Sequence, residues 1–258
     1  MSRFFFLIYG GIAYLLFLAT FLYTVGFTTN LFVPKTISGH PELPWINALL
    51  NNLVLLGIFA IQHSVMARKG FKKWWTQVIP DPIERSTYVL FSSLVLILLI
   101  WKWQPMGGVI WSLSSPFLSG LLVAVSLLGY TLILASSFMI DHFDFVGLRQ
   151  VWRYFRNQSY EPLKFTTAYL YKYVRHPLYL GFIIGAWATP VMTTTHLTFA
   201  VIITAYTLVG IYFEEKDLVN FHGKVYSNYQ SRIPKLIPGF RKKELPRETP
   251  VPVSDRVA

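Results

Sequence analysis

The chain contains no cysteine. Disulfides, thiolate metal sites and a cysteine nucleophile are therefore excluded, and the sequence says nothing about redox compartment. Charge is also scarce. Asp, Glu, Lys and Arg make up 14% of the 258 residues, where a soluble domain carries about 25%. Together with 53% hydrophobic residues and a mean hydropathy of +0.45, that deficit excludes disorder, a coiled coil and a soluble nucleic-acid binder, and implies a membrane protein. There is no Gly-rich phosphate loop, dinucleotide fingerprint, internal repeat or low-complexity tract, and no metal-ligand set is read.

What is present is a series of long apolar runs. Phe4 to Phe27 holds no charge over 24 residues, enough to cross a hydrocarbon core that needs about 20. It lacks the short apolar region and small-residue cleavage site of a signal peptide, so a retained helix is expected. Pro44 to Ala67 is a second span, with Asn51, Asn52, Gln62 and His63 as polar exceptions. Ser86 to Trp103 is a third and Phe117 to Ile140 a fourth. Leu178 to Phe213 runs 36 residues without a charge. As a single helix it would measure about 54 Å against a core of about 30 Å. Pro190, followed by Thr193, Thr194, Thr195 and His196, sits near its middle, so a hairpin of two short helices fits better than one long helix running into water. The expected fold is an all-α integral membrane protein with five to six transmembrane segments, including this C-terminal hairpin.

Basic residues set the expected orientation. Arg3, five positions in 68–85, six in 141–177 and nine after Phe213 make 21 of the 23 Lys and Arg on one side, leaving only Lys35 and Lys102 for the other. Because Lys and Arg concentrate in cytoplasmic loops, both termini are expected in the cytoplasm, in the manner of a bacterial inner-membrane protein. The net charge of +11 requires no nucleic acid. A basic cytoplasmic face attracts anionic lipid headgroups.

Polar residues at the rim of a membrane bundle are costly, so their positions are informative. Three clusters stand at the cytoplasmic ends of different spans. Gln62, His63, Ser64 and Arg68 close the second. Asp141, His142 and Asp144, then Arg149 and Gln150, leave the fourth. Tyr171, Tyr173, Arg175, His176, Pro177 and Tyr179 enter the hairpin, answered by Glu214 and Glu215 where it returns. Each also has a plain structural reading. His63 and Gln62 can bond neighbouring backbone, the aspartates can be solvated, and Pro177 can start a helix, where its missing N–H costs nothing.

The run Tyr171-Lys172-Tyr173-Val174-Arg175-His176-Pro177-Leu178-Tyr179 resembles the Arg-His-Pro-x-Tyr motif of the isoprenylcysteine carboxyl methyltransferase and phospholipid methyltransferase superfamily. The hairpin, Glu214-Glu215-x-x-Leu218, Gly223-x-x-Tyr226-x-x-Tyr229 and Ile233-Pro234-x-Leu236-Ile237-Pro238 follow that superfamily's C-terminal signature in order and spacing. His222 and Tyr169 depart from its usual Phe and Gly. The resemblance covers about residues 165–240. It implies a membrane methyltransferase using S-adenosyl-L-methionine, held on the cytoplasmic side by residues after the hairpin. Arg175 and His176 suit the cofactor carboxylate, and Glu214 or Glu215 its amino group or ribose hydroxyls. Tyr179, Tyr226 and Tyr229 offer ring faces to adenine or the sulfonium, with Tyr171 and Pro177 in the same motif.

Gln62-His63-Ser64 with Arg68, and Asp141-His142-Phe143-Asp144-Phe145-x-Gly147-Leu148-Arg149-Gln150, are similar to the bacterial methanethiol S-methyltransferases, a branch near the denitrification-associated membrane proteins. That likeness implies a small thiol acceptor, most simply methanethiol going to dimethyl sulfide. A thiolate is the nucleophile in such a transfer. His142, steered by Asp141 or Asp144, is then the first candidate proton acceptor and His63, beside Gln62, the second. The expected organisation is a transmembrane bundle over residues 1–150 that contributes the acceptor site, a cofactor-binding loop, hairpin and cytoplasmic segment over 151–241, and a flexible tail over 242–258 with Pro246, Pro250 and Pro252. Competing readings are an isoprenylcysteine carboxyl or phospholipid amine acceptor, and a non-catalytic membrane sensor or transporter. Oligomeric state is not legible.

Overall fold

The computed structural model describes residues 2–163 and 165–239. The expected tail over 242–258 lies outside the described residues. Five helices are long and apolar enough to cross a membrane, and the chain is an all-α integral membrane protein. Helix α1 spans Ser2–Thr29 and α2 Trp45–Met66. A short helix α3, Lys69–Trp75, lies between α2 and α4, Asp81–Lys102. Helix α5 covers Pro116–Ile140, and two short helices follow, α6 (His142–Phe145) and α7 (Leu148–Phe155). A 3₁₀ turn at Tyr169–Lys172 leads into α8, Pro177–Trp187, then α9, Thr194–His222, and α10, Lys224–Arg232.

Helix ends follow local chemistry. In α4, Pro82 sits in the first turn with Asp81 and Glu84, which complement the positive end of the helix. The helix therefore starts five residues before the expected Ser86, because those charges belong to its polar end. Within α1, the Thr24 and Thr29 hydroxyls donate to the Thr20 and Val25 carbonyls, both at 2.7 Å, so polar groups in an apolar run are satisfied on their own helix. Asn52, fully buried in α2, donates to the Gln104 carbonyl at 2.7 Å and accepts from the Gln104 amide at 2.9 Å. This pair of hydrogen bonds ties α2 to the end of α4. Beside it Trp103, also fully buried, stands edge-on between Phe27 and Phe199, each ring 6.0 Å away.

The hairpin forms, but its arms are unequal. Helix α8 has 11 residues, a rise of about 16 Å or half a hydrocarbon core. Helix α9 has 29 residues and crosses fully. The second arm was expected to be short. It is long because nothing between Thr194 and Gly223 stops it, and the charges from Glu214 onward simply continue the helix beyond its apolar part. The first arm's early end leaves backbone groups to be satisfied. A strand β1, Val109–Ser112, pairs antiparallel with β2, Val191–Thr193, and takes up several of them. His196 Nε2 donates to the Ala186 carbonyl at 2.9 Å. The tightest helix contact is α5 against α8. A Cβ added to Gly129 would lie 2.7 Å from the Gly185 nitrogen, so these two backbones touch.

Candidate active site

At the end of the bundle where the basic residues gather, the start of α8 is locked to the chain beyond α10. The Arg175 amide donates to the Pro234 carbonyl at 2.9 Å and the His176 amide to the Lys235 carbonyl at 3.1 Å. The Arg175 side chain repeats the lock. Its Nε lies 2.8 Å and its Nη2 2.7 Å from Glu215 Oε1, while Nη1 donates to the Gln230 carbonyl at 2.9 Å and to the Ile233 carbonyl. Glu215 also meets His176 Nε2 at 3.0 Å, Gln230 Nε2 at 3.1 Å and Lys235 Nζ at 3.7 Å. Arg175 therefore points its guanidinium into the protein.

Glu214 behaves differently from its neighbour. Its Oε2 is buried, accepts no hydrogen bond from the described residues and lies 4.0 Å from His176 Nδ1. Tyr179, one turn into α8, is within electrostatic range of Glu214, Tyr88 and Tyr206. The remaining tyrosines of the motif support the lock. The Tyr229 hydroxyl donates to the Tyr171 carbonyl at 2.6 Å, and the Tyr171 hydroxyl to the Ser136 carbonyl at 3.3 Å. Tyr226 is buried against Tyr229 and Phe165. Burial raises the Tyr171 and Tyr226 hydroxyls above the ordinary phenol value, and Tyr229 to about 12, so all three stay neutral.

The second-span cluster is built between α2 and α4. The Tyr88 hydroxyl lies 2.9 Å from His63 Nε2 and 3.1 Å from Nδ1, and Ser92 Oγ lies 3.3 Å from Nδ1. Gln62 Nε2 also donates to Ser92 Oγ at 3.3 Å, while its Oε1 is buried without a partner. Phe59 stacks on the His63 ring at 5.3 Å and meets Tyr206 at 6.4 Å. Tyr88, Ser92 and Tyr206 were not singled out from the sequence. Tyr88 and Ser92 stand four apart on one face of α4, a polar pair in an apolar span, and that is the signal they carry.

The fourth-span cluster divides. Asp141 caps α6, its Oδ1 accepting from the Asp144 amide at 3.0 Å. Asp144 holds Arg149 at 3.3 Å, the Tyr160 hydroxyl at 3.3 Å and Gln150 through its carbonyl at 3.2 Å. The cap turns His142 the other way. The imidazole is buried, with Nδ1 2.8 Å from Ser137 Oγ, Nε2 3.3 Å from the Tyr14 hydroxyl, and Phe138 stacked on it at 4.1 Å. Both ring nitrogens meet hydroxyls of α5 and α1, and neither meets a carboxylate. Burial lowers its pKa below the ordinary imidazole value, and the Asp141 charge only partly opposes this.

The profile described as NnrU protein matches residues 52–230, a range that contains His63, Tyr88, His142, Arg175, Glu214 and Gln230. Over 245 residues the chain is 52% identical to the methanethiol S-methyltransferase of Crocosphaera subtropica, covering 94% of this chain and 95% of that one. It is 47% identical over 238 residues to the methanethiol S-methyltransferase of Mycobacterium tuberculosis, covering 92% and 98%. Nurim of Xenopus laevis is 31% identical over 188 residues, covering 66% of this chain and 65% of its own. No solved structure matches.

Proposed function

The chain belongs to the NnrU protein family, and on that premise we propose that it is an S-adenosylmethionine-dependent membrane methyltransferase that converts methanethiol to dimethyl sulfide. The observation that carries this reading is the approach of two groups at one end of the bundle: Tyr179 of the hairpin lies within electrostatic range of both Glu214 and Tyr88, the hydrogen-bonded partner of His63. Near-complete matches to proteins named for this activity support the acceptor.

When bound, S-adenosylmethionine supplies a methyl group on a sulfonium. The chain's own residues suit it at one telling atom. Glu214 Oε2 is a buried acceptor without a donor, and the cofactor's amino group and ribose hydroxyls are donors. His176, at the start of α8, donates its Nε2–H to Glu215 and turns Nδ1 toward this corner, while Tyr179 adds a ring face. Arg175 and Glu215 hold this corner rigid. Residues 1–150 supply the acceptor side and 151–241 the cofactor side.

An alkanethiol ionises above the Cys value of about 8.5, so at neutral pH it needs a proton acceptor. We assign that role to His63. With Nδ1–H donating to Ser92, the lone pair of Nε2 faces the Tyr88 hydroxyl. The thiol proton passes to that hydroxyl as its own proton passes to Nε2, leaving a thiolate to attack. His142, sealed between α1 and α5, positions the start of α6. The basic end lies in the cytoplasm, with α3 on the anionic lipid surface.

The test uses purified protein with methyl-labelled S-adenosylmethionine and, in separate reactions, methanethiol, an isoprenylcysteine and phosphatidylethanolamine. Label should pass to methanethiol. Transfer to either other acceptor, or to none, overturns the reading.

A further inference from the structure

A shallow cavity of about 220 Å³ opens on the outer surface of the bundle between α2 and α9, lined by Ser64, Arg68, Tyr206, Val209, Gly210 and Phe213. Both helices are membrane spans, they touch at few points, and Val209 and Phe213 are exposed, so this mouth faces lipid. Its floor is a single hydrogen bond, Ser64 Oγ to the Tyr206 hydroxyl at 3.1 Å. Directly behind the floor, Phe59 touches Tyr206 and stacks on His63. At the rim, Arg68 pairs with Asp217 at 3.2 Å and lies 5.0 Å above the Phe213 ring. Gly210 keeps the wall open, since a Cβ there would meet nothing within 4 Å.

We propose that this cavity is the bilayer-side portal for the acceptor: a small uncharged alkyl thiol enters between α2 and α9, passes the Ser64–Tyr206 bond and reaches His63, and the methyl thioether leaves the same way. The inference rests on the function proposed above. Its chemistry follows from the two substrates. The cofactor is charged and must come from water, whereas a neutral thiol and its thioether dissolve in hydrocarbon and need no polar path. Size agrees. At about 220 Å³ the cavity falls short of the roughly 300 Å³ at which sites for drug-sized ligands begin, so it admits a molecule of a few heavy atoms and excludes a prenyl or acyl substrate. The floor bond joins two neutral hydroxyls, a link weak enough to open in turnover.

The full chain, reconstituted in lipid, is compared with Gly210→Leu. The new side chain grows into open space, and Leu is favoured over Gly inside a helix, so the variant should fold. The Michaelis constant for methanethiol should rise about tenfold or more, the scale on which an apolar pocket discriminates by size. The penalty should grow for ethanethiol and propanethiol, while cofactor affinity and turnover at saturating thiol stay close to those of the parent. Unchanged Michaelis constants for all three thiols overturn the portal and leave the proposed function standing. Failure of the parent itself to methylate any thiol overturns that function instead. A second variant tests the opening without activity. Gly210→Cys, alone in a chain with no native cysteine, should react with an uncharged alkyl methanethiosulfonate from the bilayer and resist a charged one. Preferential reaction with the charged reagent contradicts a lipid-facing mouth.

Discussion

Arg175 and Glu215 form a buried pair across 40 residues, with Nε and Nη2 both on one oxygen, at 2.8 and 2.7 Å, and side chains only 9% exposed. Removing Arg175 takes away the main cation of Glu215, leaving a buried carboxylate with only His176, Gln230 and the more distant Lys235. Arg175→Ala should therefore cost on the order of 3 to 5 kcal/mol of stability. Lys cannot reproduce the fork onto Glu215 and the Gln230 and Ile233 carbonyls, so Arg175→Lys should recover only part of the loss. Tryptophan-fluorescence unfolding in detergent measures both. A loss below about 1 kcal/mol for Arg175→Ala, the range of a surface pair, would contradict this role.

Glu214 is the opposite case. Its Oε2 accepts no hydrogen bond among the described residues and its side chain is 43% exposed, so Glu214→Gln should leave stability nearly unchanged. Cofactor affinity should fall by about 1.5 to 3 kcal/mol, or about 10- to 100-fold, for one lost charge-assisted bond. Calorimetry on the folded variant reads this, and an unchanged affinity would remove Glu214 from the cofactor site.

His142 makes stability depend on pH. Its pKa is lowered in the folded protein by burial, while in the unfolded chain it titrates near the usual value of about 6.5. Below that pH the unfolded chain binds more protons, so stability should fall as pH drops through about 6.5 and level off above it. His142→Gln should make the profile less steep, the other buried histidines keeping part of the slope. If both proteins lose stability equally between neutral and mildly acidic pH, His142 is not the group responsible.

Orientation can be read with two single cysteines. Glu42→Cys lies in the exposed connection between α1 and α2, and Gly70→Cys in α3, where a side chain meets nothing within 4 Å. In intact cells a membrane-impermeant maleimide should label the first and spare the second. The reverse pattern would invert the topology.

The spans were legible because each is a charge-free run, and the hairpin because 36 residues are too many to cross once. Thr193 is indeed the N-cap of α9, its hydroxyl accepting from the His196 amide at 3.1 Å. What sequence could not supply was rotation and distance. His142 stands beside two aspartates in the chain, yet the Asp141 cap turns its ring into the bundle. His63 and Tyr88 lie 25 residues apart on different helices and meet only once α2 packs on α4. Arg175 reads equally well as a cofactor ligand or a lock until Glu215 is seen beneath it. The four-residue β1 after Gly107 and Gly108 is too short to announce itself, because its reason is the unpaired backbone left where α8 stops.

The most direct test of the account is the pH dependence of dimethyl sulfide formation, detected in the headspace, for the parent protein and His63→Ala at saturating S-adenosylmethionine. The parent should form the thioether readily at neutral pH. The variant should be slower there by about 100- to 10,000-fold, the usual cost of losing a general base, and should recover as pH approaches the thiol's own ionisation. A defect of equal size at neutral and strongly alkaline pH, or no defect at all, would contradict a site in which His63 and Tyr88 take the thiol proton.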